Sequence, residues 1–160
     1  MVNMKQTTLC YIERDGQYLM LHRTKKENDE NRDKWIGIGG HIEPGETPLA
    51  CILRECREET GLRLTDARAR GIVHFRSDIY PDEDMFLFSA TRFEGEMTEC
   101  DEGELAWIDK GRLLELTLWE GDKVFLKLLD TRQTPFDLTL EYRGEALLRA
   151  TLDGTPLPPG

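Results

Sequence analysis

The sequence has no long apolar run. Nothing in it approaches the ~20 consecutive apolar residues that a membrane-spanning helix needs, so no membrane partner is expected. The stretch MVNMKQTTLCYIERDGQ also lacks an apolar core followed by a small-residue cleavage site, and a cytoplasmic location is expected. Positive charge is scarce: 21 Lys and Arg stand against 31 Asp and Glu, for a net charge of −10. That excludes a nucleic-acid polymer or an anionic membrane as the main partner, because both require basic patches. A small anionic ligand is not excluded, since a bound metal ion inverts the local field. Four cysteines are present, Cys10, Cys51, Cys56 and Cys100, with no CxxC pair and no His at zinc-ligand spacing. Free, buried thiols in a reducing compartment are the expectation.

No internal repeat and no linker divides the 160 residues, which suit one domain with a real core. One α/β domain over 1–154 is expected, with the Pro-rich end TPLPPG, 155–160, as a disordered tail. Thr7 to Ile12 and Gln17 to His22 flank Asp15-Gly16 and read as a hairpin. The polar run Thr24 to Lys34 reads as a mobile loop, and WIGIGGHI as a short Gly-rich strand. Arg70 to Phe75 and Met85 to Phe93 read as strands joined by the acidic loop SDIYPDED, and Leu105 to Ile108 as another strand. Gly121 to Leu129 carries apolar residues at helical spacing. Phe136 to Tyr142 and Ala146 to Leu152 form a second hairpin around Arg143-Gly144.

The segment from Gly40 to Leu62 is the most informative. Thr47 is a good N-cap, Pro48 needs no amide donor at the first helical position, and Gly61 falls where a left-handed C-cap belongs. A helix over Pro48 to Thr60 follows, with Leu49, Ile52, Leu53 and Cys56 as its buried stripe. At about 100° per residue, Glu55, Glu58 and Glu59 share a different face. Three carboxylates so close together repel. Either solvent and the neighbouring Arg54 and Arg57 screen them, or a hard cation binds there. Gly39-Gly40 allows close backbone approach, and the turn Glu43-Pro44-Gly45-Glu46 precedes the helix.

The spacing Gly40, five residues, Glu46, seven residues, then Arg54-Glu55-Cys56-Arg57-Glu58-Glu59-Thr60-Gly61-Leu62, resembles the Nudix box. One aliphatic position is Cys56, a mild departure because cysteine packs as a small hydrophobe. The resemblance implies a Nudix-type α/β/α sandwich with a mixed, largely antiparallel sheet. It also implies hydrolysis at a diphosphate with divalent cations, Mg²⁺ or alternatively Mn²⁺. By position in the family's pattern, Glu58 and Glu59 are metal ligands, Glu55 a ligand or the general base, and the Gly39 carbonyl a further ligand. Glu46 supports the site and Arg54 orients a carboxylate. Glu102, by its distance from Trp107, resembles an additional loop carboxylate that serves as ligand or base; the other reading is a solvated acidic loop.

Outside the box, LMLHR, KWIGIGG and LWEGDKVF resemble MutT-type and mammalian-type 8-oxo-dGTP diphosphatases. There a Trp followed closely by acidic residues lines the base pocket, which puts Trp119 and Asp122 in that role here. A Trp can stack on a purine and a carboxyl group can pair with its edge. Arg23 resembles a phosphate-contacting residue, and His41 stands where many relatives carry Lys near the phosphates. Ile36 departs from the Asn that contacts the base in the mammalian type. The resemblance implies hydrolysis of a nucleoside triphosphate to monophosphate and pyrophosphate, with 8-oxo-dGTP or a related purine dNTP as substrate. The alternatives are dinucleotide polyphosphates, for which Tyr80 speaks, ADP-ribose, against which Ser77 speaks, and a non-catalytic nucleotide-binding domain, against which the intact box speaks. A monomer or a homodimer is compatible with the sequence.

Overall fold

The computed structural model describes residues 4–25 and 29–158. The chain begins with a hairpin, β1 (Lys5–Arg14) and β2 (Gln17–Arg23). Its turn is Asp15-Gly16, both at positive φ, the backbone that a two-residue hairpin turn with right-handed twist demands. Two short strands follow, β3 (Trp35–Ile36) and β4 (Ile38–His41), then helix α1 (Pro48–Thr60). Next come β5 (Arg63–Leu64), β6 (Arg68–Ser77), β7 (Glu83–Ala90), β8 (Phe93–Glu94) and β9 (Gly103–Asp109). A 3₁₀ turn over Lys110–Glu115 leads to helix α2 (Glu120–Thr131), and β10 (Phe136–Arg143), β11 (Ala146–Leu152) and β12 (Thr155–Pro156) close the chain.

The main sheet runs β12-β11-β10-β6-β7-β1-β2-β3, with β4 also on β1 and β9 also on β2. The β1–β7 and β10–β6 pairs are parallel and the remaining pairs antiparallel, so the sheet is mixed and largely antiparallel. Alternate residues of β1 point to opposite faces. Leu9 and Tyr11 pack with Phe125, Leu126 and Leu129 of α2, whereas Cys10 and Ile12 pack with Ile52 and Cys56 of α1. The two helices therefore cover opposite faces, giving the α/β/α sandwich. Each fully buried anchor such as Phe125 or Ile52 stabilises this arrangement by about 1.5–3 kcal/mol.

Several expectations change. The buried stripe of α1 is Cys51, Ile52, Cys56 and Thr60, while Leu49 is 47% exposed. The stripe is rotated because β4 and β1 lie against the Cys51 side, where the thiol meets Thr8 Oγ1 at 3.2 Å and the His41 carbonyl at 3.4 Å. All four cysteines are free and buried. The expected tail is partly structured: Thr155–Pro156 pairs with β11, and the Leu157 amide donates to the Ala150 carbonyl, while residues 159 and 160 lie outside the described residues. Of the loop expected to be mobile, 26–28 lie outside the described residues, and Asp29, Asn31 and Lys34 are held by contacts described below. Among the described residues no helix is long and apolar enough to cross a membrane.

One charged cluster stitches three adjacent strands. His74 on β6 bonds Asp84 on β7 through Nδ1 at 2.7 Å and Asp137 on β10 through Nε2 at 3.0 Å. Burial alone would lower the His74 pKa, but the two carboxylates outweigh it and the pKa is raised. The Asp84 carboxyl is likewise opposed by burial, but His74 and Arg76 hold it below its ordinary value. Stability from a raised His is fully present below its unfolded pKa of about 6.5 and is lost as pH rises through the folded value. Stability from a depressed Asp is present above its unfolded pKa of about 3.9 and is lost as pH falls through the folded value. His74→Gln is therefore expected to lower Tm most between about pH 4 and 6.5, with the difference from wild type shrinking at alkaline pH. An equal loss of Tm at pH 5 and pH 9 in thermal melts would contradict this assignment.

Candidate active site

Helix α1 is set by its own ends. Thr47 Oγ1 accepts from the Ala50 amide at 3.1 Å, Pro48 occupies the first turn, and Gly61 at φ 80° closes the C-terminus on the Arg57 carbonyl. The preceding turn is closed by the Glu46 amide on the Glu43 carbonyl and by the Glu43 amide on Glu46 Oε1, both at 3.0 Å. Arg54 ties turn to helix. Its Nε and Nη2 grip Glu46 at 2.8 and 2.9 Å, its Nη1 reaches Glu55 at 2.8 Å and Glu58 at 3.3 Å, and Nη2 also donates to the His41 carbonyl. This forked geometry is specific to a guanidinium. It holds the Glu46 carboxyl down at about 2.

The glycines are there because there is no room for anything else. A Cβ on Gly39 would overlap the Thr8 carbonyl oxygen of β1, and one on Gly40 would lie 2.5 Å from Glu55 Cδ. The second contact is with the end of a side chain, which can move. Gly40→Ala is expected to keep the fold while displacing Glu55, lowering kcat/KM about 10- to 100-fold, as loss of an orienting contact typically does. Gly39→Ala strikes backbone and is expected to lower Tm as well; equal effects of the two on Tm and kcat/KM would refute the distinction.

Glu55, Glu58, Glu59 and Glu102 line one recess of about 290 Å³, together with Cys100 and Asp101. Glu55 is half-buried, and burial raises its pKa against the pull of Arg54. Burial first, then a hydrogen bond with Glu102, push the Glu59 carboxyl up to about 10. Glu59 Oε2 is buried with no hydrogen-bond partner among the described residues. Arg23 stands behind them, 3.2 Å from Glu102 and 2.6 Å from Asp29. Two part-buried carboxyl groups side by side, one with an oxygen that has no partner among the described residues, lack a positive charge, and an all-oxygen donor set suits a hard divalent cation. These residues fit such an ion by their chemistry. Among the described residues no three acidic, His or Cys side chains already surround a single ion position, because Arg54 holds Glu55 and Glu58 while Glu59 faces Glu102.

The recess opens into a cleft of about 960 Å³, within the range that takes a nucleotide-sized ligand. Gly39, Gly40, His41, Arg23, Glu55, Glu59 and Glu102 line it, as do Trp119, Asp122, Tyr80 and Glu83, and of these only Glu55, Glu59 and Glu102 also line the recess. The sequence-picked residues thus share one cleft, except Glu46, Arg54 and Glu58: Arg54, gripping Glu46, is a clamp behind Glu55, and Glu58 lines only the recess. Trp119 is fixed on several sides. Its Nε1 donates to Asn31 Oδ1 at 2.8 Å, Lys34 Nζ sits 4.3 Å from the ring centroid, and Tyr80 and Tyr142 meet it edge-on. Gly121 is required because Leu140 and Tyr142 of β10 press against it, and its amide donates to the Tyr142 hydroxyl at 2.6 Å. Asp122 is buried. Burial, reinforced by Glu83 and opposed by Lys34, pushes its carboxyl up to about 8.

Asn31, Glu83 and Tyr142 escaped the sequence reading. Glu83 stood in an apparent acidic loop, yet it shares the two-residue alternation of Met85 and Leu87, both of which face the core. That alternation was the available signal. Asn31 and Tyr142 reach Trp119 and Gly121 only through distant contacts, for which no local pattern exists.

A family model described as NUDIX domain matches residues 4–129. The uncharacterized Nudix hydrolase YvcI of Bacillus subtilis (strain 168) is 28% identical over 164 residues, covering 98% of this chain and 90% of its own. An oxidized purine nucleoside triphosphate hydrolase of Danio rerio is 30% identical over 131 residues, covering 81% of each chain. The crystal structure of a MutT protein from Bacillus halodurans matches with a TM-score of 0.84 at 31% identity, over 93% of this chain and 97% of that one.

Proposed function

The chain belongs to the Nudix hydrolase family, and we propose that it splits the pyrophosphate linkage of a purine nucleoside triphosphate. The products are the nucleoside monophosphate, pyrophosphate and a proton; the substrate is 8-oxo-dGTP or a related purine dNTP, and the role is clearing the nucleotide pool. Nudix hydrolases act on small nucleotides and generally use divalent metal ions; for this chain we take the ion to be Mg²⁺. The observation that carries the reading is one cleft lined both by the carboxylate cluster and by Trp119 with Asp122, which stand outside the acidic recess. The printed activity of the Danio rerio relative, hydrolysis of oxidized purine nucleoside triphosphates, supports the same substrate class.

Glu55, Glu58, Glu59, Glu102 and the Gly39 carbonyl would hold the cation, which when bound neutralises phosphate oxygens and makes water acidic enough to attack near neutral pH. Arg54 keeps Glu55 and Glu58 from rotating away, and fixes the turn that carries Glu46. The water proton passes to a carboxylate within hydrogen-bond reach; Glu55, Glu59 and Glu102 line both recess and cleft, and with Glu59 given to the cation, Glu55 or Glu102 takes the proton. Arg23 and His41 face the phosphates, and Trp119 stacks on the base while Asp122 meets its edge. Together these fix the phosphate chain at one end and the base at the other, so that the scissile bond lies over the acidic recess.

The test is pyrophosphate and phosphate release with Mg²⁺ from 8-oxo-dGTP, the four natural dNTPs, ADP-ribose and diadenosine polyphosphates. Preference for 8-oxo-dGTP or another purine triphosphate, with pyrophosphate as product, is expected. Turnover of ADP-ribose or a dinucleotide alone would discard the substrate assignment, and no turnover of any would discard the enzyme reading for this chain.

A further inference from the structure

We propose that Asp29 is a positioning residue that joins the phosphate contact to the base contact: its carboxylate registers Arg23 against Trp119, so that a phosphate group held by Arg23 is felt at the stacking ring. The inference rests on the roles that the reading above gives Arg23 and Trp119.

Arg23 ends β2 and Trp119 stands at the N-cap of α2, and both line the cleft, as do Asp29 and Asn31. Asp29 Oδ2 accepts from Arg23 Nε at 2.6 Å, and its Oδ1 accepts from the Asn31 amide at 2.9 Å. Asn31 Oδ1 in turn accepts from Trp119 Nε1 at 2.8 Å. These bonds, with the covalent frame of Asn31 between the last two, run unbroken from the guanidinium to the indole. The Asp29 side chain is only 6% exposed. A carboxylate so far out of water needs a charged partner and filled lone pairs. Here one oxygen serves a side chain that meets the ligand and the other serves the loop backbone. Asparagine cannot do both, because its amide offers one oxygen and would turn N–H groups toward one of the two donors.

The backbone makes the segment follow Arg23. The Arg32 amide donates to the Asp29 carbonyl at 3.0 Å, the Asp33 amide to the Arg23 carbonyl at 2.7 Å, and the Arg23 amide to the Lys34 carbonyl at 3.0 Å. Residues 29–34 are therefore a bonded turn fastened to the end of β2. The Arg23 N–H groups form a rigid fork. Its Nε goes to Asp29 and its Nη1 faces Glu102 at 3.2 Å, which leaves the rest of the fork to a phosphate oxygen. A phosphate that draws the fork draws Asp29, and Asp29 moves the Asn31 amide and the oxygen that holds the ring. Lys34, in the same turn, also meets the ring, but through an ammonium on a flexible stem, which follows the ring instead of fixing it. By linkage the coupling is reciprocal: a base stacked on Trp119 tightens the grip on phosphate by the same factor.

The experiment follows the Trp119 Nε1–H resonance by NMR, assigned with W119F, while inorganic pyrophosphate is added to the protein in Mg²⁺. Pyrophosphate carries no base, so a change at Trp119 that depends on Asp29 comes through the protein. The Trp107 resonance, from a ring stacked with Phe93 outside the cleft, is the control. Wild-type Trp119 is expected to shift with pyrophosphate, and D29N is expected to cut that shift by half or more. D29N is also expected to raise KM for a purine triphosphate about tenfold with a smaller change in kcat, as loss of a charged hydrogen bond outside the carboxylate recess should. A role in folding alone would lower Tm and leave the shift in place. N31A breaks the second link while Asp29 stays on Arg23; it is expected to cut the shift as well, and it carries the test if D29N does not fold. An unmoved resonance in wild type, or an undiminished shift in D29N or N31A, overturns the proposal. A wild type whose Trp119 answers pyrophosphate through Asp29 yet hydrolyses no triphosphate supports the role of Asp29 and overturns the activity proposed above; hydrolysis of purine triphosphates with an unmoved Trp119 does the reverse.

Discussion

Glu59→Gln is expected to lower kcat about 10²- to 10⁴-fold while leaving the metal-free protein as stable as wild type or more so. The loss corresponds to the several kcal/mol that a cation's charge contributes at a transferring phosphoryl group, at about 1.36 kcal/mol per tenfold. The preserved stability follows from the environment of the side chain. Glu59 Oε2 is buried with no hydrogen-bond partner among the described residues, and the carboxyl group is crowded by Glu102 and Glu55. Such a group costs the folded state more than it contributes, as the proposed ligand role would require. Glutamine removes one charge from that crowd and keeps the volume. Wild type should gain Tm on addition of Mg²⁺, since a ligand that binds only the folded state stabilises it, and the variant should gain less. Steady-state kinetics and melts with and without Mg²⁺ check both halves. Full activity in the variant would remove Glu59 from the ligand set, and a steep fall in metal-free Tm would mean that it serves the fold.

Trp119→Ala is expected to raise KM for purine triphosphates about 5- to 150-fold with a much smaller change in kcat, matching the ~1–3 kcal/mol that stacking contributes per base. The separation in kinetic constants follows from placement: Trp119 lines the cleft but not the carboxylate recess. Truncation also frees Asn31, Lys34 and the edges of Tyr80 and Tyr142 from the ring they now surround. Trp119→Phe separates the two contributions. It keeps an aromatic face but loses the N–H to Asn31, so its KM should lie between wild type and Ala. If both variants retained wild-type discrimination among bases, the stacking role would be wrong.

The legible parts of the sequence were those governed by local rules. Both ends of α1 are written in Thr47, Pro48 and Gly61, and each does in the structure what its chemistry dictates. The hairpin at Asp15-Gly16 is equally local. The box placed its carboxylates on one helix face by angle alone, and they converge on one recess. What was hidden depends on tertiary contact. Leu49 has the right period for the buried stripe, but the strands beneath α1 choose Cys51 instead. The Pro-rich end offers few backbone donors, yet the Leu157 amide finds the Ala150 carbonyl. Glu83 belongs to a run whose composition spells an exposed loop, and only the pairing of β7 with β1 turns it inward.

The hydroxyl of Tyr142 has an implication for how the molecule can change. It holds the first turn of α2 from β10, a strand that begins beyond residue 129, where the family match ends. Under the proposed function the metal-holding residues rest on β4, α1 and the turn before β9, and the base-holding residues on α2 and β10. Mutations in the second set are then expected to redirect which base is accepted without disturbing how the bond is cut. Directed evolution toward a new nucleotide should begin at positions 119, 122 and 142, with the acidic helix left untouched.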